Sequence, residues 1–255
     1  MKKIIQYIKD TITSPIDVAI IAGSGLSGIQ NILDKQINIC YSDIPNYFNT
    51  TVKGHDGQFI FGNYNNKNIL IASGRFHYYE GLSIEQVGLP IQIFNHLGCK
   101  QVIITNSSGC LVSHWNLGDI MIVDGHYDFT FRHGIHNPEL IKGTDYYNSE
   151  LINLTLKSNP ELRLGKYGWV LGPVYETKAE IENMMNHGVQ AVGMSTIPEV
   201  IMAHKLGINI LVLALMSNYA VGLTKEELTH ESVLVNSKKY NENFQLLLTS
   251  ILSKI

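Results

Sequence analysis

Short runs rich in valine and isoleucine recur along the chain: Val18–Ala22, Phe59–Gly62, Ile69–Ala72, Val102–Thr105, Ile120–Val123, Tyr167–Leu171, Ala191–Gly193 and Ile210–Leu215. Near-continuous apolar runs of this length belong to strands covered on both faces, as in a largely parallel sheet. Between several of them stand helix-start signals. A Ser or Thr followed three residues later by Glu or Gln satisfies exposed N–H groups reciprocally. The chain offers Ser83…Gln86, Thr177…Glu180, Thr196…Glu199 and Thr224…Glu227, with Gly98, Gly188 and Gly207 where helix C-caps are expected. Alternating strands and capped helices predict an α/β fold. The 255 residues show no linker, charge block or fixed-period repeat, so a single domain over 1–255 is expected.

The formal net charge of −3 argues against a nucleic-acid surface, which needs a basic stripe. Cys40, Cys99 and Cys110 are odd in number and have no metal-like spacing, so they read as free thiols in a reducing compartment. Ile4, Ile5, Ile8 and Ile12 share one helical face, and Gln6, Lys9 and Asp10 break the apolar run, so the N-terminus predicts an amphipathic helix docked on the core rather than a signal peptide. No stretch is long and apolar enough to span a membrane. A soluble, cytoplasmic protein is expected.

Ligands of open α/β sheets bind beyond the carboxyl ends of the strands. Here those ends are followed by GSGLSG (23–28), SGRFHYYEG (73–81), NSSG (106–109), GPVYET (172–177), MST (194–196) and MSNYAVG (216–222). The first matches a dinucleotide fingerprint, with Asp43 as a conceivable ribose acid, but the pattern equally serves any anion meeting backbone N–H groups at a helix N-terminus; Ser24 adds a hydroxyl. In GRFHYYEG, Arg75 is the preferred fork for an oxyanion, His77 a further donor and Glu80 a partner that orients the pair. The bland alternative is a surface Arg–Glu pair beside a core histidine. Thr105–Gly109 reads as an anion nest or an ordinary turn. Tyr175 and Glu176 precede a capped helix, where Glu176 is either a dipole-favoured carboxylate or a base-edge acceptor. Asn218 places a neutral amide at another strand end, where a turn asparagine is the alternative.

His126, His133 and His136 with Asp124 and Asp128 read as loop composition rather than a metal site, and no metal is expected. His96, His114, His187 and His204 read as helix or loop residues without a role, and no hydrolase, zincin or Walker motif occurs.

Taken in order, VAIIAGSGLSG, KGHDGQFIFG, GRFHYYEG, VIITNSSG, LGDIMIV, LGPVYET, AVGMSTIPEVIMAHKLG and SNYAVG…THESVL make the chain resemble the purine nucleoside phosphorylases of the trimeric class, which include the methylthioadenosine phosphorylases. The resemblance displaces the dinucleotide reading. It implies a single α/β domain around a mixed, partly barrelled sheet flanked by helices. It implies a homotrimer in purine salvage, with no cofactor and with inorganic phosphate as co-substrate. The implied activity is phosphate-dependent cleavage of a purine (deoxy)ribonucleoside to the base and (deoxy)ribose 1-phosphate. It implies a phosphate site of Ser24, Arg75, His77, the backbone at Ser107, and Ser195, with His55 on a loop above it. Tyr79, Met194 and His230 would hold the sugar, Tyr175 would pack on the purine, and Glu176 and Asn218 would bind its edge. Asn218, Glu176, His77 and His55 are the expected catalytic residues.

Asparagine at 218 can donate to a 6-oxopurine, whereas the methylthioadenosine relatives carry aspartate, so inosine and guanosine are expected over adenosine. The alternatives are a methylthioadenosine/adenosine-type phosphorylase and a drifted, non-catalytic nucleoside-binding homologue. Ser107 and Ser108 replace alanines common in the family, Cys110 replaces a glycine, and Tyr175 stands where phenylalanine is usual. The 126–148 segment is shorter than usual; the resemblance implies that it lends one aromatic to a neighbouring subunit's site, with Phe129, Tyr146 and Tyr147 as the candidates.

Overall fold

The computed structural model describes residues 1–24, 26–50, 52, 56–134, 136–224 and 229–255. Among the described residues, strands are β1 (Val18–Ala22), β2 (Asp34–Cys40), β3 (Gln58–Tyr64), β4 (Lys67–Ser73), β5 (Gln101–Cys110), β6 (Ile120–Asp128), β7 (Ile141–Lys142), β8 (Arg163–Trp169), β9 (Ala191–Gly193) and β10 (Asn209–Tyr219). The α-helices are α1 (Lys2–Thr11), α2 (Ile84–Val87), α3 (Leu89–His96), α4 (Ser149–Ser158), α5 (Lys178–Asn186), α6 (Ile197–Leu206), α7 (His230–Lys239) and α8 (Asn241–Leu252).

All ten strands join one mixed sheet. β1 lies parallel between β4 and β5, and all five of its residues are buried. From β5 the sheet runs to parallel β10, antiparallel β6, parallel β8 and parallel β9, and β9 returns antiparallel to β5. Five strands therefore close into a barrel. The antiparallel β4–β3–β2 wing extends from it and ends on β2, whose exposed polar residues suit an edge. The N-terminal helix forms as expected, burying Ile4 and Ile8. Among the described residues no helix is long and apolar enough to cross a membrane.

Two expectations need correction. The segments NSSG and MSNY are strand, not turn or nest: β5 and β10 stay paired from Asn209↔Gln101 to Tyr219↔Cys110. Their polar side chains are satisfied within the ladder, since Ser108 Oγ donates to Asn106 Oδ1 (2.5 Å) and Ser217 Oγ to Asn218 Oδ1 (2.9 Å). The helix starts divide likewise. Ser83 and Thr177 make the expected reciprocal caps, and Gly98, Gly188 and Gly207 take φ of 87°, 75° and 64°. Thr196 makes no side-chain cap, and Thr229 caps α7 with Ser232. Glu227 of the expected pair lies outside the described residues.

Candidate active site

Beyond β4 the chain turns inward at Gly74 (φ 134°), where a Cβ would stand 2.9 Å from the Gly57 nitrogen. Tyr41 Oη pins this turn by donating to the Gly74 carbonyl (2.9 Å), and Phe76 buries itself among the rings of Tyr41, Tyr47 and Phe48. The anchor on either side forces Arg75 into the interior, where it is 1% exposed. Its Nε donates to Glu199 Oε1 (3.0 Å), and its Nη1 donates to the Thr105 carbonyl (2.8 Å) and to Ser195 Oγ (3.2 Å). Nη2 is buried with no hydrogen-bond partner among the described residues. A buried donor left in this way is costly unless something accepts from it.

Glu199 was expected to cap α6. Instead it lies fully buried beneath Arg75 as its counter-charge. The cause is the backbone at Thr196 (φ 77°, ψ −50°), where the Ile197 N–H donates back to the Ser195 carbonyl (2.9 Å). A β-branched residue rarely adopts this conformation, and it costs about 1–3 kcal/mol. Asn106 Nδ2 holds it by donating to Thr196 Oγ1 (2.9 Å). This tight turn sets Ser195 against Arg75 and swings Glu199 inward.

The bland reading of GRFHYYEG, a surface Arg75–Glu80 pair, is thereby excluded. Glu80 serves His77: its Oε1 accepts from the His77 backbone N–H (2.7 Å) and lies 3.1 Å from Nδ1. The His77 ring stacks on Tyr79 with centroids 4.8 Å apart.

GSGLSG leads into a 3₁₀ turn over Ser27–Ile32 rather than an α-helix. Packing explains its glycines. A Cβ on Gly23 would lie 2.7 Å from Asn106 Cα, and one on Gly28 would lie 2.6 Å from Gln245 Nε2 on α8. Ser24 still faces the cavity, and its carbonyl accepts from Ser107 Oγ (2.8 Å).

On the other wall, Thr177 is the N-cap of α5, so Glu176 stands outside the helix. Burial, and secondarily the nearby Glu180, pushes its carboxyl above the usual carboxylate range. Burial also raises the Tyr175 hydroxyl, with Glu176 adding to it, and pushes Tyr79 to about 12 with help from Glu80. Gly172 (φ 74°) lets Met194 and Tyr79 close over it, since a Cβ there would stand 2.6 Å from Met194 Sδ. Asn218 follows an irregularity in the β5–β10 register and is 8% exposed. Its Oδ1 accepts from Ser217 Oγ (2.9 Å) and its Nδ2 donates to the Tyr219 carbonyl (3.0 Å), which orients the amide and leaves Nδ2 a second hydrogen.

These walls enclose one cleft of about 720 Å³ including its open mouth. Ser24, Arg75, His77, Tyr79, Ser107, Tyr175, Glu176, Met194, Ser195, Asn218 and His230 all line it. His55 lies outside the described residues. Sequence reasoning missed Asn106 and Val233 in the lining and Glu199 behind it; Glu199 carried the signature of a cap, so nothing in the pattern marked it as a buried ion.

The aromatics expected to reach a neighbour are engaged within the chain. Phe129 and Tyr147 are buried, and Tyr146 stacks on His204 at 3.9 Å; the exposed aromatic of that segment is Phe131. The supposed metal ligands have separate partners: His126 Nδ1 pairs with Tyr147 Oη (2.6 Å), Asp124 with Lys166 and Asp128 with Arg132. Burial lowers His126 to about 4, so the ring is neutral.

A model of the phosphorylase superfamily matches residues 17–253. Purine nucleoside phosphorylase 1 of Geobacillus stearothermophilus is 34% identical, over 94% of this chain and 91% of its own. The Bos taurus purine nucleoside phosphorylase is 32% identical, over 93% and 89%. Structures of the Schistosoma mansoni purine nucleoside phosphorylase are 30% identical and cover 100% of this chain. They superpose with TM-scores of 0.88 for its complex with adenosine, covering 96% of that chain, and 0.87 for its complex with inosine, covering 95%. The barrel, the cleft and these likenesses together establish that the chain belongs to the phosphorylase superfamily, among the purine nucleoside phosphorylases, and is a pentosyltransferase.

Proposed function

We propose that the chain cleaves 6-oxopurine nucleosides with inorganic phosphate. The observation that carries this reading is the buried Arg75, which keeps Nη2 without a partner among the described residues and lines the same cleft as Asn218 with its oriented amide. Arg75, His77, Ser24, Ser195 and the backbone at Ser107 hold the phosphate, with His55 above it as the family resemblance implies. Tyr79, Met194 and His230 hold the sugar, while Tyr175, Glu176 and Asn218 hold the base.

In the reaction the C1′–N9 bond breaks as a phosphate oxygen bonds to C1′, through an oxocarbenium-like sugar. The bond electrons pass to the purine, and the proton that hydrogen phosphate gives up on forming the ester reaches N7 or N9 through solvent, so the base leaves neutral. The Nδ2 hydrogen of Asn218 donates near N7, where that negative charge develops. Ionised Glu176 accepts the ring N–H and fixes the base. Holding both reactants in one cleft supplies up to about 7–11 kcal/mol of the barrier. This chemistry needs no metal or cofactor, with phosphate the co-substrate. The amide donor at 218 favours a 6-oxo group, because a mismatched edge leaves buried polar groups unpaired.

We also propose a cytoplasmic homotrimer. The apolar side chains of Phe131 (40% exposed), Leu171 (40%) and Val174 (82%) support assembly, since they border the Tyr175–Glu176 wall. Three unpaired cysteines support a reducing compartment. Sedimentation checks the trimer.

The test of function is release of base from inosine, guanosine and adenosine with and without phosphate. Phosphate-dependent release, faster from inosine and guanosine, is expected. Release without phosphate overturns phosphorolysis, and a preference for adenosine overturns the role given to Asn218.

A further inference from the structure

Helix α7 brings His230 and Val233 to the cleft, yet its only buried side chains are Val233 and Ser237. Ser237 is fully buried, and its hydroxyl does two things. Its one hydrogen is shared between the Val233 carbonyl within the helix (2.7 Å) and, across the cleft wall, Ser107 Oγ (2.8 Å). Ser107, on β5, in turn donates to the Ser24 carbonyl in the glycine-rich segment (2.8 Å). A chain of two hydroxyls therefore joins the helix on the nucleoside side to the segment on the anion side. The next helix, α8, also meets the glycine-rich segment, where a Cβ on Gly28 would press on the terminal amides of Asn241 and Gln245. An alanine at 107 would remove both hydrogen bonds of the relay while leaving the strand ladder intact.

We propose that Ser107 is a positioning residue that latches α7 to the glycine-rich segment, so that an anion beside Ser24 and Arg75 and a nucleoside beside His230 and Val233 each tighten the binding of the other. The inference rests on the functional reading above. An anion that fixes Ser24 fixes Ser107 and, through Ser237, the seat of α7. By linkage the effect is reciprocal: whatever factor the anion adds to nucleoside affinity, the nucleoside adds to anion affinity. Losing one neutral hydrogen bond in the relay is expected to lower that factor about threefold to tenfold.

The experiment is calorimetric titration of inosine into the full chain with and without sulfate, an unreactive stand-in for phosphate. In the wild type, sulfate tightens inosine. In Ser107→Ala that tightening falls towards a ratio of one. Ser237→Ala, which places alanine in a helix interior and so keeps the fold, gives the same loss, and the double variant gives no more, because both serines act in series through one relay. An unchanged ratio in both single variants, or independent losses that add in the double variant, overturns the latch. Phosphorolysis of inosine by the same wild-type preparation separates the two readings. Its absence overturns the functional reading, whereas full phosphorolysis with an unchanged ratio overturns the latch alone.

Discussion

The Arg75 end of the cleft and the Glu176 end are built by different means. At the first, an arginine 1% exposed, a carboxylate 0% exposed and a serine 8% exposed are fixed by strand ends and one strained turn. At the second, Tyr79, Tyr175 and Glu176 are half-buried and His230 is exposed, on loops and helix starts; only Asn218 is anchored in a strand. A buried ion cannot relax into solvent, so the first end must be preorganised by its partners. The second can adjust to the shape of the ligand. In the proposed reading the invariant reactant, phosphate, meets the rigid end, and the base meets the adaptable one.

The hardest blow to this contrast is Arg75→Met. It strands Glu199 as an uncompensated buried charge, which is expected to cost about 3–5 kcal/mol in urea unfolding. Phosphorolysis should fall at least about 100- to 1,000-fold in kcat/KM. Adding Glu199→Leu should restore most of the stability and none of the activity. Next is Asn218→Asp, which should shift the adenosine-to-inosine ratio of kcat/KM towards adenosine by about 100-fold; unchanged selectivity would remove the amide from the base edge.

Glu176→Gln should lower kcat/KM about tenfold at pH 7, through loss of a charged acceptor. The wild-type profile should also show an acid limb. The ionised carboxylate is the active form and burial raises its pKa, so activity falls with decreasing pH while still above the ordinary carboxylate range; the glutamine variant should lack that limb. The raised pKa also means that the ionised group opposes folding at neutral pH, so the glutamine variant should be slightly the more stable there and lose the advantage at low pH. The smallest effect concerns Thr196. Glycine accepts a φ of 77° and alanine does not, so Thr196→Gly should unfold about 1 kcal/mol later than Thr196→Ala. Equal stabilities would mean that the turn stores no strain.

Much of this architecture could be read from the residues, and the failures share a cause. β1 and β9 fall where their apolar runs place them, and Arg75, His77, Glu176 and Asn218 reach the cleft from or just past strands that were visible as such. Ser195, Tyr79, Met194 and His230 take their roles only from the family resemblance, because single polar or thioether residues have no signature. The polar ends of β5 and β10 carry turn-like residues, but Asn106 and Ser108, two apart on β5, satisfy one another while the ladder to β10 continues, and that pairing comes from distant chain that local pattern does not show. Glu199 failed for the same reason: three residues after a threonine it reads as a cap, and only the fold, by closing the chain over Arg75, makes it a counter-ion. In GSGLSG the pattern hid a second demand, since Gly23 is also required by close packing against Asn106.

The most direct measurement is calorimetric titration of inorganic phosphate into the wild type and into the folded Arg75→Met/Glu199→Leu variant. One anion bound per wild-type chain and none by the variant is the predicted result. Equal binding by both would contradict the assignment of Arg75 as the anion's anchor.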